Sequence, residues 1–443
     1  RDPEMSRGLG DVYKRQDERI NILRKYNLWG DTAFDFGFRR SEYNEKIMDF
    51  TGNRLVKILT GQRRAGKSYL LRQTARQLIE NGVPAANTLF INREMTDLDF
   101  IKTYKDLDEI IKLYQAIIQP TGKVYIFIDE IQLIKDWEKT INSYSQDYTA
   151  EYELFISGSN SKLLSGELAT LLSGRYVCFN VFPFSYQEYL MVTGKEQMKQ
   201  SYLDYINSGG LPELFSLPNK LEIRQNYMST IKDSILLRDI IQRYNIRDPK
   251  LLEDIFIFLV NNASNLISVN SIVKYFKNSG RNISYDIVAA YIGYIEDTFL
   301  IHRCERYDIK GKETLAGTSK FYINDLAYKN YLYPGYGYGF GYLIENAVYL
   351  ELLRMGYEVY TGNAKGKEID FVAQKTGETI YIQCSYIMSD QSTIKREFSP
   401  LETINDNFPK VVVSIDDMVL PSHNGIKHIQ AWNLRNELIY HKE

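Results

Sequence analysis

The residues Gly61–Ser68 read GQRRAGKS, a G-x-x-x-x-G-K-[ST] spacing that suits phosphate binding. The two glycines let the backbone curl so that successive N–H groups face one anion. A helix that follows directly adds the positive end of its dipole. Lys67 can then reach the β- and γ-phosphates, and Ser68 can ligate Mg²⁺. Gly61, Gln62, Arg63, Arg64, Ala65, Gly66, Lys67, Ser68 and Tyr69 are therefore the candidate nucleotide contacts. Downstream, VYIFIDEI carries Asp129 and Glu130 at the end of an apolar run. Asp129 can share the Mg²⁺ shell with Ser68. Glu130 can polarise the attacking water as a general base. In LFISGSN, Asn160, with Ser159 and Ser157 as alternatives, can position that water or touch the γ-phosphate; a simple turn or helix cap would use the same residues. Arg175 is a candidate arginine finger, acting within the chain or on a neighbour's nucleotide. The stretch NKLE at Asn219–Glu222 lacks the last Asp of N-K-x-D, so ATP rather than GTP is the expected nucleotide.

These groups need strands and helices to hold them. LVKILT, TLFINRE, KVYIFIDEI, YELFISGSN and YVCFNVFP read as five strands, separated by helical patterns such as YKDLDEIIKLYQAIIQ. Fully apolar strands alternating with helices predict a parallel sheet covered on both faces, an α/β fold. After Pro183 the pattern turns helical. SVNSIVKYFKNSG, SYDIVAAYIGYIEDTFLI and two strands around a glycine loop (HRCERYDIKGKETLAGTSKFYIND) then suggest a winged helix. The run YPGYGYGFGY marks a break before a last α/β module. The predicted divisions are 17–52, 53–190, 191–265, 266–332 and 333–443. Residues 1–16 lack periodicity and read as foreign to the chain, an expectation that sets them aside.

Composition narrows the classes. The chain has 443 residues, 44% hydrophobic and 25% charged, which suits two or three globular domains. A net charge of -2 gives no global basic signature, so nucleic-acid contact would need a local patch. Cys178, Cys304 and Cys384 are isolated, against a zinc site or a disulfide framework. No apolar run approaches the ~20 residues of a membrane span, and a cytoplasmic location is expected.

GQRRAGKSYLL, FIDEIQ, ISGSNSKLLSGELATLLSGRY, PFSYQEYL, GGLPEL and EIDFV, in this order, resemble a bacterial and archaeal family of AAA+-like ATPases. In that family the ATPase domain precedes a C-terminal region of unknown function. The resemblance covers most of the chain from about Asn53 and implies an ATPase with Lys67, Ser68, Asp129 and Glu130 in their usual roles.

Near the C-terminus, Ile344, Val348, Leu352 and Met355 form an apolar helical stripe bordered by Glu345. KEIDFVAQ and TIYIQCSY read as adjacent strands, a hairpin around Lys375–Gly377. This looks like a PD-(D/E)XK nuclease core, which implies metal-binding roles for Glu345 and Asp370. Where E-x-K would stand, the chain has Gln383-Cys384-Ser385. Gln383 can offer a metal only a neutral oxygen, and Ser385 cannot replace the lysine; Lys395 is a conceivable migrated substitute. A degenerate core kept for binding is the reading this favours over cleavage. The second helix of the winged-helix region has no Arg or Lys from Ser284 to Thr298, while Asp286, Glu296 and Asp297 are acidic. Lys274, Lys277, Arg281, Lys310 and Lys312 leave only backbone contact to DNA. The sequence thus predicts a Mg²⁺-dependent ATPase coupled to a module that engages DNA or protein, with oligomerisation left open. Its rivals are an ATP-regulated DNA nuclease and a non-hydrolysing nucleotide-sensing scaffold.

Overall fold

A computed structural model describes residues 16–30, 33–164, 172, 174–334 and 340–440. The stretch 1–15, most of the segment between Leu164 and Gly174, and the centre of the Tyr333–Tyr342 run lie outside the described residues. Two compact units form: the described residues up to Gly61 with Gly66–Val181, and Gln62–Ala65 with the chain from Phe182 onward.

In the first unit, five strands pair in parallel in the order β2-β3-β4-β1-β5. They are β1 (Val56–Thr60), β2 (Thr88–Asn92), β3 (Val124–Asp129), β4 (Tyr152–Gly158) and β5 (Tyr176–Asn180). This is the parallel, covered α/β sheet expected from the alternating pattern, and it is consistent with the P-loop NTPase fold that the resemblance implies. β1, β2 and β4 are buried along their whole length, because helices cover both faces. Ile58, Ile91, Ile126 and Ile156 face one core with Leu107 and Ile110. Phe127 stacks on Phe155 at 4.6 Å and on Phe90 at 6.5 Å. Each such side chain contributes about 1.5–3 kcal/mol of burial. A buried ion pair breaks the apolar pattern: Lys57 of β1 and Glu153 of β4 are both 0% exposed, with Nζ 2.5 Å from the carboxylate, which Lys123 also pairs. The helix Tyr104–Ile118 starts where Asp106 reaches back to the Thr103 N–H at 2.8 Å, a capping device that fixes the crossover between β2 and β3.

The second unit begins with helices and ends in a seven-stranded mixed sheet, ordered β12-β11-β10-β9-β8-β6-β7. Its strands are β6 (Ile301–Asp308), β7 (Glu313–Ile323), β8 (Glu358–Ala364), β9 (Lys367–Lys375), β10 (Glu378–Cys384), β11 (Lys410–Ser414) and β12 (Lys427–Gln430). The helix pair expected for a winged helix is present at Val269–Asn278 and Tyr285–Asp297, and β6 and β7 form the hairpin. That hairpin does not end as a free wing, since β6 pairs in parallel with β8. The reason is chemical: β6 is buried at Ile301 and Cys304, so it needs cover and a neighbour. Ile344, Val348 and Leu352 of the helix Gly341–Arg354 pack on Phe371, Ile382 and Val411. Phe398 and Leu401 of the helix Gln391–Glu402 pack with Val372 and Val412 in a separate core. Among the described residues, no helix is long and apolar enough to cross a membrane.

Candidate functional site

The loop after β1 takes the shape its glycines allow. Gly61 sits at φ +148°, where an added Cβ would lie 2.2 Å from the Val181 carbonyl oxygen. Gly66 caps the helix Lys67–Glu80 at φ +101°, and Arg64 is also left-handed at φ +69°. The first helical turn holds no acidic residue to offset the positive end of its dipole. Lys67, 4% exposed, donates from Nζ to the Gly61 carbonyl at 3.0 Å and so spans the loop. Ser68 is the second residue of the helix and half-buried. Tyr69 turns away from the loop, with its hydroxyl 3.4 Å from Asp35 and its ring against Gly37.

Residues 62–65 belong to the second unit, and two of their side chains are committed there. Gln62 is 0% exposed; it donates to the Tyr328 hydroxyl at 2.7 Å and accepts from the Asn324 amide at 2.9 Å. Arg63 clasps Asp239 through two nitrogens, at 3.1 and 3.3 Å. What these two residues can offer a phosphate is main chain. Ala65 is buried and Arg64 exposed.

β4 lies between β1 and β3, so Asp129 stands two strands from β1, about 10 Å away. Ser157 pairs with Leu59 on the intervening strand and donates to Asp129 Oδ1. Asp129 Oδ2 is buried and has no hydrogen-bond partner among the described residues. Glu130 follows in a left-handed conformation, φ +54°, which swings its side chain off the strand direction. Its backbone N–H donates to Ser157 at 3.2 Å. Its Oε2 accepts from the Gln132 amide and from Ser159 at 3.3 Å. Asn160, 2% exposed, lies two residues past β4, just before the turn Ser161–Leu164. Asp129, Glu130, Ser157, Ser159 and Asn160 thus meet at the C-terminal ends of β3 and β4, where the sequence expects them. Gln132 was missed; its signal is a side-chain amide two residues past the candidate base.

The residues fit a magnesium nucleotide. A buried carboxylate oxygen without a protein partner and the Ser68 hydroxyl are hard oxygen donors. The loop and a helix start free of acidic residues suit the phosphates. Arg175 is not part of this group. It precedes β5 at the end where Val56 pairs with Tyr176, whereas the loop follows the Thr60–Asn180 end. About 13 Å of strand separates the two ends. Its Nη1 is buried without a partner among the described residues.

A second polar cluster lies in the seven-stranded sheet. Glu345, Asp370 and Gln383 do come together: the Gln383 side-chain oxygen accepts the Asp370 N–H at 3.3 Å, and Asp370 Oδ2 accepts the Cys384 N–H at 2.8 Å. The lysine at the cluster is not Lys395, which is exposed on the helix Gln391–Glu402. It is Lys320 of β7, 2.8 Å from Glu345, 2.7 Å from Glu368 and 3.2 Å from Asp370. The helix contributes Glu397 instead, which accepts from the Gln383 amide at 3.3 Å. Burial first, then the nearby Asp370 charge, pushes the Glu345 carboxyl up to about 7. Among the described residues, no group of three or more His, Cys, Asp or Glu is arranged to hold a metal ion. The basic residues before the second helix are partly spoken for, since Arg281 pairs with Asp254 at 2.6 Å.

Residues 53–190 match a family described as an AAA domain. Residues 199–335 and 340–434 match two domains of unknown function, DUF8612 and DUF4143. An uncharacterized protein of Haemophilus influenzae is 31% identical over 379 residues, spanning 85% of this chain and 92% of its own. An uncharacterized protein of Methanocaldococcus jannaschii is 28% identical over 332 residues, 72% of this chain and 71% of its own. Among solved structures, a Walker-type ATPase of Pyrococcus abyssi aligns over 66% of this chain and 94% of its own, at 15% identity and a TM-score of 0.40. The RuvB Holliday junction branch migration motor of Thermotoga maritima aligns over 59% and 89%, at 15% identity and a TM-score of 0.31.

Proposed function

Because the chain belongs to the family in which an AAA-type P-loop ATPase domain precedes domains of unknown function, we propose that it binds ATP with Mg²⁺, hydrolyses it, and uses the cycle to drive its C-terminal region. Lys67 and the main chain of the loop hold the phosphates. Ser68 and Asp129 would hold the Mg²⁺, which supplies charge neutralisation at the β- and γ-phosphates. Glu130 takes the proton of the attacking water, and Gln132 and Ser159 keep its Oε2 oriented. Asn160, just past β4, would steady that water. Arg175 serves a neighbouring copy's nucleotide, because strand register separates it from its own. The C-terminal region engages DNA or a protein partner in the cytoplasm.

The observation that carries this reading is Asp129 Oδ2, buried and unpartnered beside a carboxylate held by two donors. A non-hydrolysing sensor has no need of that second, oriented carboxylate. The test is phosphate release with Mg²⁺ and ATP. Glu130→Gln should slow turnover by about 10²–10⁴ while ATP still binds. Equal turnover in both chains would leave only the binding role.

A further inference from the structure

The C-terminal cluster contains a cation already. Lys320 is 2% exposed, and its Nζ lies within 3.2 Å of oxygens from Glu345, Glu368 and Asp370. Those carboxylates come from the helix Gly341–Arg354 and from β9, while the lysine comes from β7. An ammonium has three protons and no lone pair, and here it meets three carboxylates. Part of the remaining acceptor capacity is also engaged. Asp370 Oδ2 takes the Cys384 N–H, and Glu345 Oε1 takes the Tyr322 hydroxyl at 2.6 Å as well as Lys320. A divalent cation would need the same oxygens at about 2.0–2.6 Å, a space that Nζ fills.

We propose that Lys320 Nζ occupies the cation position of this carboxylate site, so that the site is closed to divalent metal and works as an internal ion-pair hub joining β7, β9 and the helix Gly341–Arg354. The hub needs no metal, and it stands whether or not the chain hydrolyses ATP. It also separates the site from metal-dependent cleavage: the lysine that should assist chemistry beside a metal sits where the metal would be.

The test is Mn²⁺ binding to the full chain without nucleotide, read by electron paramagnetic resonance. Every protein carries Asp129→Asn, which removes the loop's own metal ligand. With Lys320 intact, no bound Mn²⁺ should depend on Asp370. Adding Lys320→Met should create one Mn²⁺ equivalent, bound at least about tenfold tighter, a change of about 1.4 kcal/mol. Further addition of Asp370→Asn should abolish it. The melting temperature of the Lys320→Met chain should rise with Mn²⁺, as a merely structural lysine would not require. A folded Lys320→Met chain that gains no site overturns the proposal. So does an Mn²⁺ site, present with Lys320 intact, that Asp370→Asn removes. Should circular dichroism show Lys320→Met unfolded, Lys320→Gln takes its place, and the Asp370 comparison on the intact lysine decides by itself.

Discussion

Replacing Glu345 with Gln should flatten the pH dependence of stability in the seven-stranded sheet. The Glu345 carboxyl lies at about 7, against an ordinary 4.5. The causes are burial and the Asp370 charge, only partly offset by Lys320. A carboxyl raised in the folded state favours folding while it stays protonated. Its contribution is therefore complete below pH 4.5 and is lost as pH rises to about 7. At about 1.4 kcal/mol for each unit of separation, the loss is about 3 kcal/mol. Asp325, raised to about 6 by burial, acts in the same direction, and buried His302, held low, acts in the opposite one. Both remain in Glu345→Gln, so the difference between the two chains isolates Glu345. Hydrogen exchange of β7 and β9 amides, corrected for intrinsic rates from pH 4.5 to 8, reads the local opening energy. The unsubstituted chain should lose about 3 kcal/mol more than Glu345→Gln across that range. Parallel curves would refute the placement of Glu345 as a buried, proton-holding group.

Two further substitutions test the nucleotide-binding unit. Gly61→Ala puts a Cβ 2.2 Å from the Val181 carbonyl at a φ of +148°, so binding of a fluorescent ATP analogue should weaken by at least about tenfold; unchanged affinity would show that the loop tolerates a side chain there. Lys57→Met keeps the volume but leaves Glu153 with Lys123 as its remaining lysine partner. With Lys123 and the Gly52 N–H still on Glu153, that should cost about 1.5–3 kcal/mol, seen as a lower melting temperature, and an unchanged or higher one would contradict it.

The parallel sheet was legible because each strand is a short apolar run closed by Gly, Pro or a polar cluster, and the nucleotide loop because glycine spacing is local. Strand order was not. Nothing in YELFISGSN says that it lies between LVKILT and KVYIFIDEI, yet that position brings Ser157 to Asp129. For Arg175 the sequence leaves open whether it acts within the chain or on a neighbour, and strand direction places it at the end of β5 away from the loop. Glu345, Asp370 and Gln383 were legible through their stripe and hairpin. Lys320 was not, because it falls in a segment that reads as the strand of a wing. A signal existed: KFYI puts a lysine inside a run otherwise fit for burial, and a buried lysine needs carboxylates. Lys395 satisfied proximity along the chain and nothing else.

β7 is also a rod. Lys320, Tyr322 and Asn324 alternate along it, about 7 Å per step, and Asn324 continues the line one residue past its end. At one tip Asn324 grips Gln62; one and two steps away, Tyr322 and Lys320 grip Glu345. A strand resists stretching far more than bending, because lengthening it must distort bond angles and peptide planarity. Gln62 and Glu345 are thus tied to one strand, and the side-chain hydrogen bonds at its two ends, not the strand itself, are the first links to give under load.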